Sequence, residues 1–373
     1  FQFAPVVLLV VLSGLAGSAV AQWSGPSSWQ SDLRPIPDSQ WSYAAAAHLL
    51  ERAGFGGTPS QISALAAMSP EQAVQQLTGY DTDNNASLAF DHSGIFDPGL
   101  DPFPTSRPAA TALARKNGEA LGIKVKAGGN RPLQPIVNRF FYWLRASSLE
   151  TNRLAYWWAD RMVASDQPLQ EKLALFWHGH FAVNEGKVRD YRKLLQQLEL
   201  FHAAGNGSFR DLMVAVAQDP AMLAFLDAGV NVKGAPNENF AREIMELFTM
   251  GVGNYTEQDI REAARAFTGW NFNGLDFVVN DAQHDAAEKQ FLGRRGNFDG
   301  VDVIDIIMEQ PVTADYIAGK LYRFFVRQDL SPDLQAELGN ILRDADYNIA
   351  TLLETVFLSR DFYSPASVGT HIK

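Results

Sequence analysis

Chemistry-bearing side chains crowd into one stretch of this 373-residue sequence, from Trp177 to Asp285. It opens with Trp177-His178-Gly179-His180-Phe181, in which two imidazoles stand two residues apart. That spacing does not put them on one helical face. Alone, the pair reads as structural histidines tying a helix end. Next comes Asn237 to Phe248, with Glu238/Arg242 and Arg242/Glu246 four apart and the carboxylates Glu243 and Glu246 three apart. One reading is a salt-bridged, solvated helix face. The other turns Glu243 and Glu246 toward a polar cavity, where paired carboxylates hold a metal or divide acid and base roles. Further on, Asp259 reads as the capping partner of Thr256, and Gly269 as a helix C-cap. His284-Asp285 then places an imidazole on a loop beyond two acid-rich helices, as a third ligand or general base.

Two functions from different classes follow. In the first, His178, His180, Glu243, Glu246 and His284 line a polar cavity and bind a divalent metal. Nitrogen and oxygen ligands of this kind suit zinc, iron or manganese. The metal activates water for hydrolysis, with Glu243, Glu246 and His284 as the catalytic groups. In the second, Glu238, Arg242, Asp259 and Asp285 form a structural polar network, and the chain is a non-catalytic scaffold or assembly partner. Serine-triad hydrolysis carries little weight, because the chain has no Gly-x-Ser-x-Gly elbow. With no cysteine, thiolate nucleophiles, disulfides, iron–sulfur clusters and Cys-based zinc sites are excluded. The net charge of −11 argues against a nucleic-acid partner, which needs a basic surface.

The elements that must position these groups read as helices. Trp41 to Ala53 is helix-forming and stopped by Gly54. Ser69-Pro70-Glu71-Gln72 is a capping box opening a helix to about Leu77. Gly79 to Arg131 is rich in Asp, Asn, Gly and Pro and reads as a long loop. Within it, Asp81, Asp83 and Asn85 have calcium-loop spacing, but Ala86 and His92 stand where Gly and Glu belong, so it reads as solvated. Ser147 with Glu150 looks like a capping box for a helix running to Ala164, and Pro168 begins the helix that carries His178. Further helix signals lie at Val188–Ala204, Phe209–Ala217, after Asp219-Pro220, from Asn237 to Gly251 and from Thr256 to Gly269. Residues 277–279 and 290–292 look like short strands with Gly-rich turns, after which helices resume to Leu358. The expected fold is mainly α, a single multi-helix domain over 41–373 with a long loop in its N-terminal half and a small β excursion near 270–300.

At the start, Val6 to Leu12 is an unbroken apolar run, too short to span a bilayer, and Ala19-Val20-Ala21 is a signal-peptidase pattern. Residues 1–21 are therefore expected to be a secretion signal lacking its n-region, and 22–40 a linker or extended arm. The mature protein is expected to be exported, periplasmic or extracellular, with no stable membrane anchor after cleavage. No Cys follows the cleavage motif to carry a lipid.

Several runs are distinctive enough to place the chain beside others. Leu175–Phe181 (LFWHGHF), Asp219–Leu226 (DPAMLAFL), Asn237–Gly253 (NENFAREIMELFTMGVG), Tyr255–Trp270 (YTEQDIREAARAFTGW) and His284-Asp285 with Phe291-Leu292-Gly293 resemble a bacterial exported family, domain of unknown function 1800. His48–Pro59 (HLLERAGFGGTP) is similar to that family's opening motif. The resemblance runs from about Tyr43 to Lys373. It implies a mainly α-helical fold, no established reaction, and a further helical stretch beyond Lys373. It also implies a partner, since members' genes often lie beside those of an exported alkaline-phosphatase-like family.

Overall fold

Helix starts in this chain are set by local chemistry, and most fall where the sequence predicts. The computed structural model describes residues 23–80, 89–95, 116 and 134–370. The stretch expected to be a secretion signal, the calcium-like spacing of Asp81, Asp83 and Asn85, and most of the 79–131 stretch lie outside the described residues. Helix α1 (Tyr43–Ala53) begins where the Ser42 hydroxyl accepts the Ala45 N–H. Helices α2 (Pro59–Ala66) and α3 (Pro70–Thr78) open on reciprocal capping boxes, Thr58 with Gln61 and Ser69 with Gln72, each with proline at the first position.

The capping box expected at Ser147 and Glu150 is not one. Helix α4 (Gln134–Ala164) runs straight through both residues. The Ser147 hydroxyl accepts the Tyr191 N–H at 2.9 Å, and Glu150 takes Ser93 Oγ and the Arg153 guanidinium. Groups that could have capped a helix serve tertiary contacts instead.

Helix α5 (Pro168–His180), the single turn α6 (Glu185–Val188), and helices α7 (Tyr191–Ala204), α8 (Phe209–Ala217) and α9 (Pro220–Phe225) follow. Their apolar faces meet in an aromatic stack. The Trp177 ring lies nearly parallel to Phe181 and Phe209, at 5.5 and 5.7 Å, and its indole N–H donates to the Gly205 carbonyl. Helix α10 (Glu238–Glu243), a π-helical turn (Ile244–Thr249) and helix α11 (Glu257–Ala266) carry most of the predicted site residues.

The β excursion is two antiparallel hairpins rather than two isolated strands. Strand β1 (Trp270–Asn273) pairs with β2 (Asp276–Val279), and β3 (Lys289–Phe291) with β4 (Arg294–Gly296). In the second turn Leu292 and Gly293 both have positive φ, 45° and 81°, as a two-residue primed turn requires. A leucine there is strained, and its N–H is held at 2.8 Å by Asp259 Oδ1.

Helices α12 (Gly300–Met308), α13 (Pro311–Phe325), α14 (Pro332–Asp344) and α15 (Ile349–Leu358) complete the described chain. The fold is mainly α, as expected: 62% of it is helical. One hydrophobic cluster runs from Trp29 to Tyr363, so the described helices share a core.

The described part of the N-terminal stretch, 23–40, packs against the body of the protein. Trp29 and Ile36 are buried, and the backbone pairs with the far end of the chain. The Gly25 and Ile36 N–H groups donate to the Tyr363 and Leu358 carbonyls, both at 2.8 Å. Beneath it, Asp361 is fully buried, accepting Ser31 N, Tyr322 Oη and Arg327 Nη1 at 2.6, 2.6 and 2.8 Å.

Candidate functional site

The π turn gives the 237–253 motif a geometry that its composition does not announce. A helix continuous from Asn237 to Gly251 was expected. From Ile244 the hydrogen bonds lengthen to i→i+5, with Met250 N donating to Met245 O and Thr249 Oγ1 to Ile244 O. Such turns recur at functional sites. Gly251 ends the segment with φ 77°, and a Cβ there would approach the Tyr316 ring to 3.0 Å.

The carbonyls at the end of the π turn are met by side chains. His180 Nε2 donates to Phe248 O at 3.0 Å. Tyr316 Oη and Lys320 Nζ, both on α13, donate to Leu247 O at 3.0 and 3.2 Å. Lys320 Nζ also lies 3.3 Å from His180 Nδ1, which is then the acceptor nitrogen. Burial and the neighbouring Lys320 push the His180 pKa down to about 3, so the ring is neutral. Burial likewise lowers the pKa of Lys320. His178 faces elsewhere: it is exposed, with its ring 5.3 Å from Trp158. The two histidines do not converge, as their spacing predicts.

Glu243 and Glu246 are both half-buried. Glu246 accepts Tyr255 Oη at 2.8 Å, and burial together with this bond pushes the phenol up to about 12. Glu243 has no hydrogen-bond partner among the described residues. Burial, and then the charge of Glu246, hold its pKa above the ordinary 4.5. The folded protein therefore keeps this group's full contribution to stability near pH 4 and loses it as pH rises through the raised pKa. Glu243→Gln should escape that loss. The expected result is a gain of about 0.5 kcal/mol or more at pH 7 and no gain at pH 4, read from urea unfolding at the two pH values.

Arg242 was expected to pair with Glu238 and Glu246. It forks instead onto Glu257, at 3.1 and 2.8 Å, with a longer contact to Glu238. Asp259 closes the capping box with Thr256 through Oδ2 while Oδ1 holds Leu292. Arg265 joins Glu262 Oε2 at 2.6 Å to Asp285 Oδ2 at 2.7 Å. His284 Nδ1 bonds the Thr268 carbonyl at 2.9 Å. Gly269 is needed between them: its φ is 83°, and a Cβ would lie 2.6 Å from the Asn280 carbonyl. This knot fastens both hairpins to α11.

Of the five predicted ligands, then, His180 and His284 each spend a ring nitrogen on a backbone carbonyl, His178 stands apart, and Glu243 and Glu246 remain beside each other. Among the described residues, no group of three or more His, Asp or Glu side chains is placed to hold a metal ion.

Three buried polar centres were missed. Besides Asp361, Glu171 is fully buried on α5. It takes Arg161 Nε and Nη2 at 2.8 and 2.6 Å, His202 Nε2 at 2.8 Å and Trp158 Nε1 at 3.1 Å. Asp219 caps α9, accepting Met222 N and Gln197 Nε2, and burial pushes it up to about 7. The Asp219-Pro220 signal predicted the cap; nothing in it predicted the burial.

The fold and these contacts define a mainly α-helical protein whose polar motifs largely bind helix ends and hairpins to one another. The family model described as "Protein of unknown function (DUF1800)" matches residues 48–373, and the chain belongs to that family. No curated protein and no solved structure matches it.

Proposed function

We infer that the chain is an exported, non-catalytic scaffold or assembly partner. One observation carries this reading: the charged and imidazole groups of the 177–285 stretch are mostly spent on the protein's own backbone and on each other. His180 and His284 hold carbonyls, Arg242 and Arg265 each bridge two carboxylates, and Asp259 pins a tight turn. Such networks hold helices in register and fix a rigid surface. The partner implied by the resemblance is the exported alkaline-phosphatase-like protein. Mixed with it at micromolar concentration, the purified chain should elute as a complex of summed mass in size exclusion with light scattering. Two separate peaks under all conditions overturn the pairing.

A second reading keeps the metal-dependent hydrolase, and Glu243 favours it. A carboxylate without a hydrogen-bond partner among the described residues, raised in pKa beside a second carboxylate on a π turn, fits divided acid and base roles. The test is hydrolysis of ester and phosphoester substrates with added zinc, iron(II) or manganese. Chelator-sensitive turnover that disappears in Glu243→Gln with Glu246→Gln would overturn the scaffold reading.

A further inference from the structure

A cavity of about 230 Å³ opens between α4, the end of α5 and α7, away from the π turn. Its floor is apolar, from Leu154, Leu194 and Leu198, and Trp158 forms one wall. That wall is fixed, because the indole N–H is donated inward to Glu171. His178 also lines the cavity, and burial lowers its pKa, so the imidazole brings no positive charge there at neutral pH; the other polar groups present acceptors. Thr151 gives its hydroxyl proton to the Ser147 carbonyl at 2.9 Å and is left an acceptor. Gln197, only 1% exposed, donates Nε2 to Asp219 at 2.7 Å, and its amide oxygen has no partner among the described residues. Glu185 is the one formal charge on the lining, half-buried and without an ion-pair partner among the described residues.

An apolar floor, an aromatic wall, acceptor oxygens and one unpaired carboxylate complement a donor that carries positive charge on a small apolar body. We propose that this cavity binds a small organic ammonium ion, its charged head at Glu185 and its body against Trp158 and the leucines. The volume, below that of drug-sized pockets, limits the ligand to a short aryl- or alkylamine. Aromatic walls add to such binding by attraction between the cation and the ring face. The inference is independent of whether the protein is a scaffold or a hydrolase.

The probe is phenethylammonium, titrated calorimetrically into the full chain and compared with its neutral and anionic isosteres, 2-phenylethanol and phenylacetate. Saturable binding of the ammonium, roughly tenfold tighter than the alcohol, is the expected result. Glu185→Gln should remove that preference, and Ala155→Trp, which fills the cavity from an exposed helical position, should abolish binding. Both variants should unfold thermally as the parent does. Equal affinity for the three isosteres, no binding of the ammonium, or a preference that survives Glu185→Gln overturns the proposal.

Discussion

Replacing Glu171 with alanine is expected to cost about 3–5 kcal/mol, because it strips the shared carboxylate from a buried Arg–Glu–His cluster. Glu171 is fully buried, and three helices reach it: Arg161 and Trp158 from α4, His202 from α7, and its own α5. Burial alone works to raise its pKa. The hydrogen bonds and charges of His202 and Arg161 outweigh it, holding the carboxyl below the ordinary 4.5. The stabilisation is therefore complete above pH 4.5 and is lost as pH falls through the depressed value. Urea unfolding at pH 7 should show a lower midpoint at unchanged slope. The wild-type advantage over Glu171→Ala should narrow below pH 4.5. A variant with the wild-type midpoint at pH 7 would mean that the cluster holds nothing together.

Asp361→Ala is expected to cost as much again, with a local signature of its own. The carboxylate is the anchor on which the N-terminal arm, Tyr322 and Arg327 meet, and Arg327 is only 6% exposed. Removing it leaves a buried guanidinium uncompensated, a loss of about 3–5 kcal/mol, and frees the Ser31 N–H. The arm should loosen before the core does. Chymotrypsin should cut faster after Trp29, which is buried in the folded arm and is followed by Gln30. Replacing the whole centre with apolar groups, Asp361→Leu with Arg327→Met and Tyr322→Phe, should recover much of the stability, since no charge is then left buried. It should not restore protection at Trp29, because the Ser31 N–H still lacks its acceptor.

Legibility from sequence followed the range of the interaction. The caps at Ser69–Gln72, Asp219 and Thr256–Asp259 depend on three or four adjacent residues, and they fall where predicted. Ser147 and Glu150 show the limit of the same rule, since the signature is present and both groups are drawn into tertiary contacts. Strands β1 and β4 were missed because WNFN and RRG lack the β-branched alternation that marks a strand. The π turn is composed like any helix, so IMELFT carries no local sign of it. Arg242 took Glu257, fifteen residues away, over Glu246 on the adjacent turn, because the chain reverses between α10 and α11. The carboxylates of Glu171 and Asp361 look in sequence like any surface acid; only packing distinguishes them.

The arm's hydrogen bonds bear on the timing of synthesis. Ser31 and Asp361 are 330 residues apart, so the arm emerges from the ribosome long before its docking surface exists. At synthesis rates of 5–20 residues per second, that interval is about 17–66 s. Throughout it, the Leu358 and Tyr363 carbonyls that accept the Ile36 and Gly25 N–H groups are missing, as is the Asp361 anchor of the Tyr322–Arg327 centre. The core helices between can pair as they appear, but the seam joining the two ends closes only after Tyr363 is made. A chain built this way stays open along one edge until synthesis is nearly finished, which leaves that edge available to any factor that acts on unfolded protein.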